Sequence, residues 1–286
     1  MALVAGGAFF ILGGREGAWA WWPDSQRLGL VRISGPIVEA TEILSALEEL
    51  EDDERVLAIV VRIDSPGGAV GASQEIYRAI QLIKKPVVAS LGNVAASGGY
   101  YIASACNVIT AAPGTLTGSI GVITTIPNLE ELLAKLGVRV EVLTSAPLKG
   151  TGQSTRALRP EEKVLLESIA QDLHRQFVAD VARGRNMAEK DIAVLADGRV
   201  YTGRQALENK LIDKLGNYRD ALDQAVQMGG FSAGKPEIFC PQDEGAGFWN
   251  SLSSQAAQTL FRQITSLFYS FSQPAFILPP LSQPSR

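Results

Sequence analysis

From Arg27 onward the chain alternates short apolar runs with longer stretches in which apolar residues return every three or four positions. LGLVRISGPI (28–37) reads as a strand, and TEILSALEELEDD (41–53) as an amphipathic helix. VLAIVVRID (56–64) is a nearly unbroken β-branched run, the mark of a strand covered on both faces. Past SPGG the pattern predicts a helix near 70–83, a strand in KKPVVASLG (84–92), a short helix after Ser97 and a strand in NVITAAP (107–113). Beyond TLTGSIGVI (115–123) it predicts a helix around 129–136 and a strand in VRVEVLT (138–144). A long helix follows over 159–183, with Pro160 near its start and Glu161 and Glu162 in its first turn. Its apolar stripe runs through Leu166, Ile169, Leu173, Phe177 and Val181. The segment 197–216 reads as a small helical module, and a further helix should cover 218–228.

Strands alternating with helices imply repeated βαβ units and a largely parallel sheet, hence an α/β fold. In such sheets function gathers on loops at the carboxyl ends of the strands. SPGG directly follows one predicted strand, and Ser97 lies a few residues past the next, so both loops are candidates for one crevice.

The ends of the chain depart from this pattern. MALVAGGAFFILGG (1–14) is uncharged, but 14 helical residues reach only about 21 Å against a hydrocarbon core of roughly 30 Å. Trp19, Trp21 and Trp22 then cluster as an interfacial belt would. Residues 1–26 are therefore expected to be an apolar leader or the remnant of a membrane anchor, without the basic start and cleavage site of a secretory signal. The main domain should span 27–242, and 243–286 should hold an amphipathic helix and a proline-rich tail. That helix, through Leu252, Ala256, Leu260, Ile264, Leu267 and Phe271, fits packing on the core or a neighbouring subunit, with a membrane surface as the alternative.

Composition narrows the field. With 286 residues, 46% of them hydrophobic and 20% charged, the chain can bury a sizeable core. The net charge of −4 leaves no basic excess to displace counterions, so nucleic acid is not an expected partner. Cys106 and Cys240 lack metal-ligand spacing, which argues against a zinc site and a disulfide framework but leaves a single bridge between them open.

Four segments carry candidate chemistry. In NVAASGGYYIA (93–103), Gly98 and Gly99 remove bulk where a substrate backbone would approach Ser97, and a helix starting there would aim free N–H groups at a forming oxyanion. On local grounds a strand-to-helix turn with a capping serine is the commoner reading of the same residues. In DSPGG (64–68), two glycines after a buried strand make a loop whose amides could hold an oxyanion, each such donor being worth roughly 3 kcal/mol, or simply a tight turn. The one histidine, His174, sits on the long helix and reads as a packing or surface residue, so a Ser-His-Asp triad has little support. A lysine is the economical base, provided an apolar pocket desolvates it enough to be neutral near pH 7–8, roughly. Lys149 in PLKGTGQ has few charges near it, unlike the paired Lys84 and Lys85 or the helical Lys163 and Lys190. Ser119 in TLTGSIGV could hold such an amine by a hydrogen bond.

In this order, DSPGG, AASGGYYIA, TGSIGV and a lysine loop resemble the signal peptide peptidase A family in its short form, from about Leu28 to Cys240 and including GRVYTGRQALENKLIDKLG. The resemblance implies a Clp-protease/crotonase-like fold and a Ser-Lys serine peptidase that needs no metal or cofactor. It implies Ser97 as nucleophile, Lys149, 52 positions later, as general base, Ser119 as the residue orienting the lysine, and Gly67 and Gly98 as the oxyanion-hole amides. It further implies extended apolar peptide substrates such as cleaved signal peptides, a homo-oligomer with active sites near subunit interfaces, and membrane association with the catalytic domain on the extracytoplasmic side. Pro147 departs from the more glycine-rich approach common before the lysine. Rival readings are an NfeD-type stomatin-cleaving protease, a crotonase-type acyl-CoA enzyme and a non-catalytic assembly protein on the same fold.

Overall fold

The computed structural model describes residues 26–232 and 236–244. The chain divides into two units, Met1–Pro241 and Gln242–Arg286, and the sheet with its helices belongs to the first. The leader or anchor expected before Gln26, and the helix and tail expected after Glu244, fall outside the described residues.

The central strands follow from their composition. β1 (Arg27–Ser34), β2 (Val56–Ser65) and β3 (Val87–Ala96) lie side by side in parallel, with β2 in the middle. Alternation along them sends side chains to two opposite cores. Val31, Ile33, Ile59, Val61 and Ile63 enter a large cluster with Leu47 and Leu50 of α1 (Thr41–Asp52) and Ile76 and Ile80 of α2 (Val70–Leu82). Leu28, Leu30, Ala58, Val60 and Val88 face the other way. Each such aliphatic side chain contributes about 1.5–3 kcal/mol when fully withdrawn from water. No disulfide joins the two cysteines, because Cys106 belongs to the first cluster and Cys240 to the second.

Downstream elements complete the layers. α3 (Gly98–Ala103) follows β3 directly. β4 (Val108–Ala111) pairs the first half of β3, and β5 (Leu116–Gly118) pairs its last three residues. α4 (Glu130–Lys135) and the long α5 (Pro160–Gly184) come next, then α6 (Glu189–Leu195), β6 (Val200–Thr202), α7 (Gly203–Glu208) and β7 (Lys214–Leu215). α8 (Tyr218–Gly229) covers the second core through Ala221, Leu222 and Ala225, and β8 (Glu237–Phe239) pairs β1. The eight-stranded sheet is parallel apart from the β5–β6 pair, as an α/β fold of βαβ units requires.

One expected element does not form. Residues 138–144 make no strand, and Val138, Val140 and Val142 stand exposed. A strand needs a hydrogen-bonded neighbour, and the sheet offers this segment none. The excursion is similarly open from Ile123 to Lys149, with Ile123 89% and Leu143 98% exposed, before Gly150 is buried and 151–156 half-buried. The stripe of α5 is likewise split. Phe177 and Val181 are buried, whereas Ile169 is exposed together with Val164 in the first half of the helix. Among the described residues, no helix is long and apolar enough to cross a membrane.

Candidate active site

The site begins with a fault in the β2–β3 pairing. Ile63 pairs with Leu91, but Ser65 pairs with Ala95, so β3 carries two extra residues between these contacts. Asp64 braces that bulge: its carboxylate accepts hydrogen bonds from the Val94 amide at 3.1 Å and the Asn93 side chain at 3.2 Å. Gly92 leaves room for this carboxylate, since a Cβ there would fall 2.6 Å from the Asp64 carboxyl carbon. After the bulge, Val94–Ala96 takes β5 as a partner. Thr115 and Thr117 fix that pairing by donating to the carbonyls of Gly92 and Ala95 at 2.8 and 2.7 Å.

Ser97 ends the strand in a strained conformation, φ 52° and ψ −121°. A non-glycine residue held there costs on the order of 1–3 kcal/mol, and such strain persists only where the surroundings impose it. Here the Ser97 amide donates to Gly118 at 2.8 Å, and the Ser97 carbonyl accepts from Tyr101 at 2.8 Å as α3 opens. Tyr100 and Tyr101 anchor that helix. The Tyr100 hydroxyl donates to the Leu211 carbonyl at 2.8 Å inside the core, and the Tyr101 hydroxyl donates to the Asp180 carboxylate of α5. Burial, and then Asp180, push the Tyr101 phenol well above its ordinary range, so it stays protonated and is no candidate base at neutral pH.

The SPGG loop lies directly against this turn. A Cβ on Gly67 would meet the Gly98 nitrogen at 2.7 Å and the Ser97 Cβ at 2.8 Å, and Gly67 adopts φ 101°. A Cβ on Gly98 would strike the Ser73 hydroxyl at 2.4 Å. Both glycines are therefore required by close approach. The Gly67 amide is engaged, donating to Ser65 Oγ at 3.1 Å. Gly68 forms a parallel bridge with Ile37 that uses the Gly67 carbonyl and the Ala69 amide, which leaves the Gly68 N–H facing away from Ile37. Gly68, rather than Gly67, lines the cleft beside Ser97 and Gly98.

The cleft continues into an apolar pocket walled by Val70, Tyr101, Val122, Leu173 and Phe177. The Tyr101 ring packs against Phe177 and Tyr77 at centroid distances of 4.6 and 5.1 Å, which sets the pocket's shape. Sequence reasoning named both glycines of DSPGG but assigned the donor to Gly67, and it missed Tyr101, Leu173 and Phe177 as pocket walls. The last two read as ordinary core positions of a helical stripe, with nothing local to mark them as pocket walls.

Ser119 lies one residue past β5, whose last residue, Gly118, pairs with Ala96. Adjacent strand backbones run about 4.8 Å apart. Ser119 also has a positive φ of 50° and donates its amide to Arg199 at 2.8 Å. The cleft thus brings together Ser97, Gly98 and Gly68, while Ser119, just past the adjoining β5, is not among its lining residues. His174 is not among its lining residues. Neither is Lys149, which sits exposed in a tight turn of the 123–158 excursion. Arg156 and Arg159 hold the carbonyls of Gly150 and Pro147, tying that turn to the start of α5. The cleft takes Leu173 from the same helix, 11 residues after Glu162 and so about 16 Å further along. Among the described residues, no group of three or more histidine, cysteine, aspartate or glutamate side chains could hold a metal ion.

A serine held in strain beside unpaired helix-start amides, at the mouth of an apolar pocket on a Clp-type sheet, has the build of a serine hydrolase that acylates itself. Comparison with known proteins agrees. The model of "Peptidase family S49" matches residues 79–231, and that of "Clp protease" matches residues 30–113. The chain is 43% identical over 230 residues to "Putative protease slr0021" of Synechocystis sp., an alignment covering 78% of this chain and 83% of that one. It is 39% identical over 183 residues to "Putative signal peptide peptidase SppA" of Enterococcus faecium, covering 63% and 53%. It is 38% identical over 205 residues to "Serine protease SPPA, chloroplastic" of Arabidopsis thaliana, covering 68% of this chain but only 30% of that protein. The chain belongs to peptidase family S49 and is a serine peptidase of the signal peptide peptidase A kind.

Proposed function

We propose that the protein hydrolyses extended apolar peptides, such as signal-peptide remnants, by a Ser97–Lys149 dyad. Neutral Lys149 takes the Ser97 hydroxyl proton as the oxygen attacks the peptide carbonyl. The amides of Gly98 and the SPGG loop, with Gly68 as the donor on that side, hold the oxyanion. The protonated lysine then gives its proton to the leaving amine, and the same group activates the water that releases the acyl chain. Ser119 orients the amine from just past the end of β5. The observation that carries this reading is the strained Ser97 opposite Gly68 at the mouth of the apolar pocket.

Because Lys149 is exposed and lies off that pocket, the reading pairs Ser97 of one chain with Lys149 of a second copy. The bare valines and leucines of the 123–158 excursion favour such a partner, since apolar surface of this extent marks an interaction site. The reading requires that contact to exclude water, since a lysine serves as a base only when neutral. An apolar substrate and a membrane-side location fit the pocket's lining and the tryptophan cluster before Asp24.

The test is turnover of an apolar fluorogenic peptide by Ser97→Ala, by Lys149→Ala and by the two variants co-assembled. Both single variants should be inactive, and the mixture should recover part of the activity. An active Lys149→Ala enzyme would reject the base. Two dead variants with no recovery on mixing would place the dyad within one chain.

A further inference from the structure

Glu162 is the one charged residue among those described that is 0% exposed. A carboxylate without water is very costly unless donors surround it. Here it receives four. Arg156 grips it with both arms of its guanidinium, at 2.8 and 2.6 Å, and Arg159 donates its side chain at 2.7 Å and its backbone amide at 3.0 Å. These hydrogen bonds, those of Arg156 first, hold the Glu162 carboxyl far below the usual carboxylate range.

What the two arginines do next gives the cluster its meaning. Arg156 passes a hydrogen bond on to the Gly150 carbonyl at 3.2 Å, and Arg159 donates to the Pro147 carbonyl. Those carbonyls bracket Lys149, one residue after it and two before. The turn between them closes on itself through Lys149 N–H to Ala146 and Thr151 N–H to Leu148, both 3.1 Å. A helix cap needs only the Arg159 amide bond; it has no use for guanidinium bonds reaching into a loop. The planar fork of arginine fixes direction as well as distance, so one buried carboxylate sets the pose of both forks and through them the pose of the turn.

We propose that Glu162 is the positioning residue of the lysine turn, acting through Arg156 and Arg159 to hold Lys149 in the fixed pose relative to α5 from which it can reach Ser97 of the second copy. The proposal rests on the reading of Lys149 as the base. Glu162 touches neither Lys149 nor substrate. The remaining charges at the cluster are Glu161, 3.4 Å from Arg159, and Glu130, which accepts from the Ala157 amide at 3.0 Å and ties α4 to the stretch just before α5.

The experiment compares Glu162→Gln and Arg156→Gln with wild type in the full-length protein, reading kcat and KM on the apolar peptide alongside the melting temperature. Arg185→Gln, which breaks the Arg185–Asp213 pair (2.7 Å) away from the turn, is the control for destabilisation alone. The proposal expects kcat to fall by about 10- to 100-fold with KM within about twofold, as a small misplacement of a reacting group does. Arg185→Gln should lower the melting temperature and leave kcat near wild type. If Glu162→Gln does not fold, the partly exposed Arg156 decides alone. A folded Arg156→Gln protein with normal kcat, or an equal kcat loss in Arg185→Gln, overturns the proposal. Lys149→Ala is assayed in parallel: retained turnover there overturns the base itself, whereas a dead Lys149→Ala beside a normal Arg156→Gln overturns the positioning role only.

Discussion

Two regions of this chain handle the same kind of residue in opposite ways. Around Ser97, three strands, two glycines with no room for a Cβ and a pair of anchored tyrosines fix the backbone and hold its strain in place. Around Lys149, apolar residues from Ile123 to Leu158 stand in solvent, and α4 is the only regular element before α5 among the described residues. The surroundings of Ser97, the proposed nucleophile, lie within one chain. The lysine's do not, apart from the arginine clamp that fixes its turn to α5. The second copy proposed above would cover the apolar side chains that one chain leaves exposed.

Removing the nucleophile should have the largest effect: Ser97→Ala is expected to cost about 10⁴-fold or more in kcat with little change in melting temperature. Steady-state assay with circular dichroism of the same sample checks both halves. Next come the glycines. Gly98→Ala places a methyl group 2.4 Å from the Ser73 hydroxyl, and should lower turnover by about 10²- to 10³-fold as the oxyanion amide is displaced. Overpacking at the same point should destabilise the fold by about 1–3 kcal/mol, read from urea unfolding.

The arm gives the sharper test of the comparison. Val140 and Val142 are 49% and 42% exposed, so Val140→Asp with Val142→Asp should leave monomer stability within about 0.5 kcal/mol. Light scattering should nevertheless show loss of assembly, and activity should fall by about tenfold or more as a desolvated contact gains two charges. Unchanged particle mass and activity would erase the distinction between the two regions.

The smallest effect concerns acid stability on the sheet side. Hydrogen bonds from Arg55, and more weakly from Arg27, hold the Asp53 carboxyl at about 2 instead of 3.8. A depressed carboxyl contributes stability above its unfolded value and loses it as pH falls through its folded value. The melting-temperature gap between wild type and Asp53→Asn should therefore be full above pH 4, roughly, and close toward pH 2. A gap that widened on acidification would contradict the assignment.

Much of this was readable in the sequence, and the exceptions share a cause. The β-branched run 56–64 and the helices over 41–52 and 70–82 appear where periodicity puts them, because each buries its own face in a core the chain itself supplies. β8 is three residues long and α6 buries only Ile192, so neither leaves a periodic signal to read. VRVEVLT carries a strand pattern without a partner, and the pattern alone cannot say whether one exists. In the site, Ser97 and its glycines were legible because close backbone approach demands glycine. Gly68 could be separated from Gly67 only once the Ser65 hydrogen bond and the Ile37 bridge were visible. Phe177 and Leu173 were hidden because pocket walls and core positions look alike on a helix.

The central claim is that Ser97 is the acylated residue. Treatment of the assembled protein with a fluorophosphonate, followed by peptide mass spectrometry, reads this directly. A single adduct on the peptide containing Ser97, absent from Ser97→Ala, is the result expected. An adduct on another residue, or none on active enzyme, would contradict it.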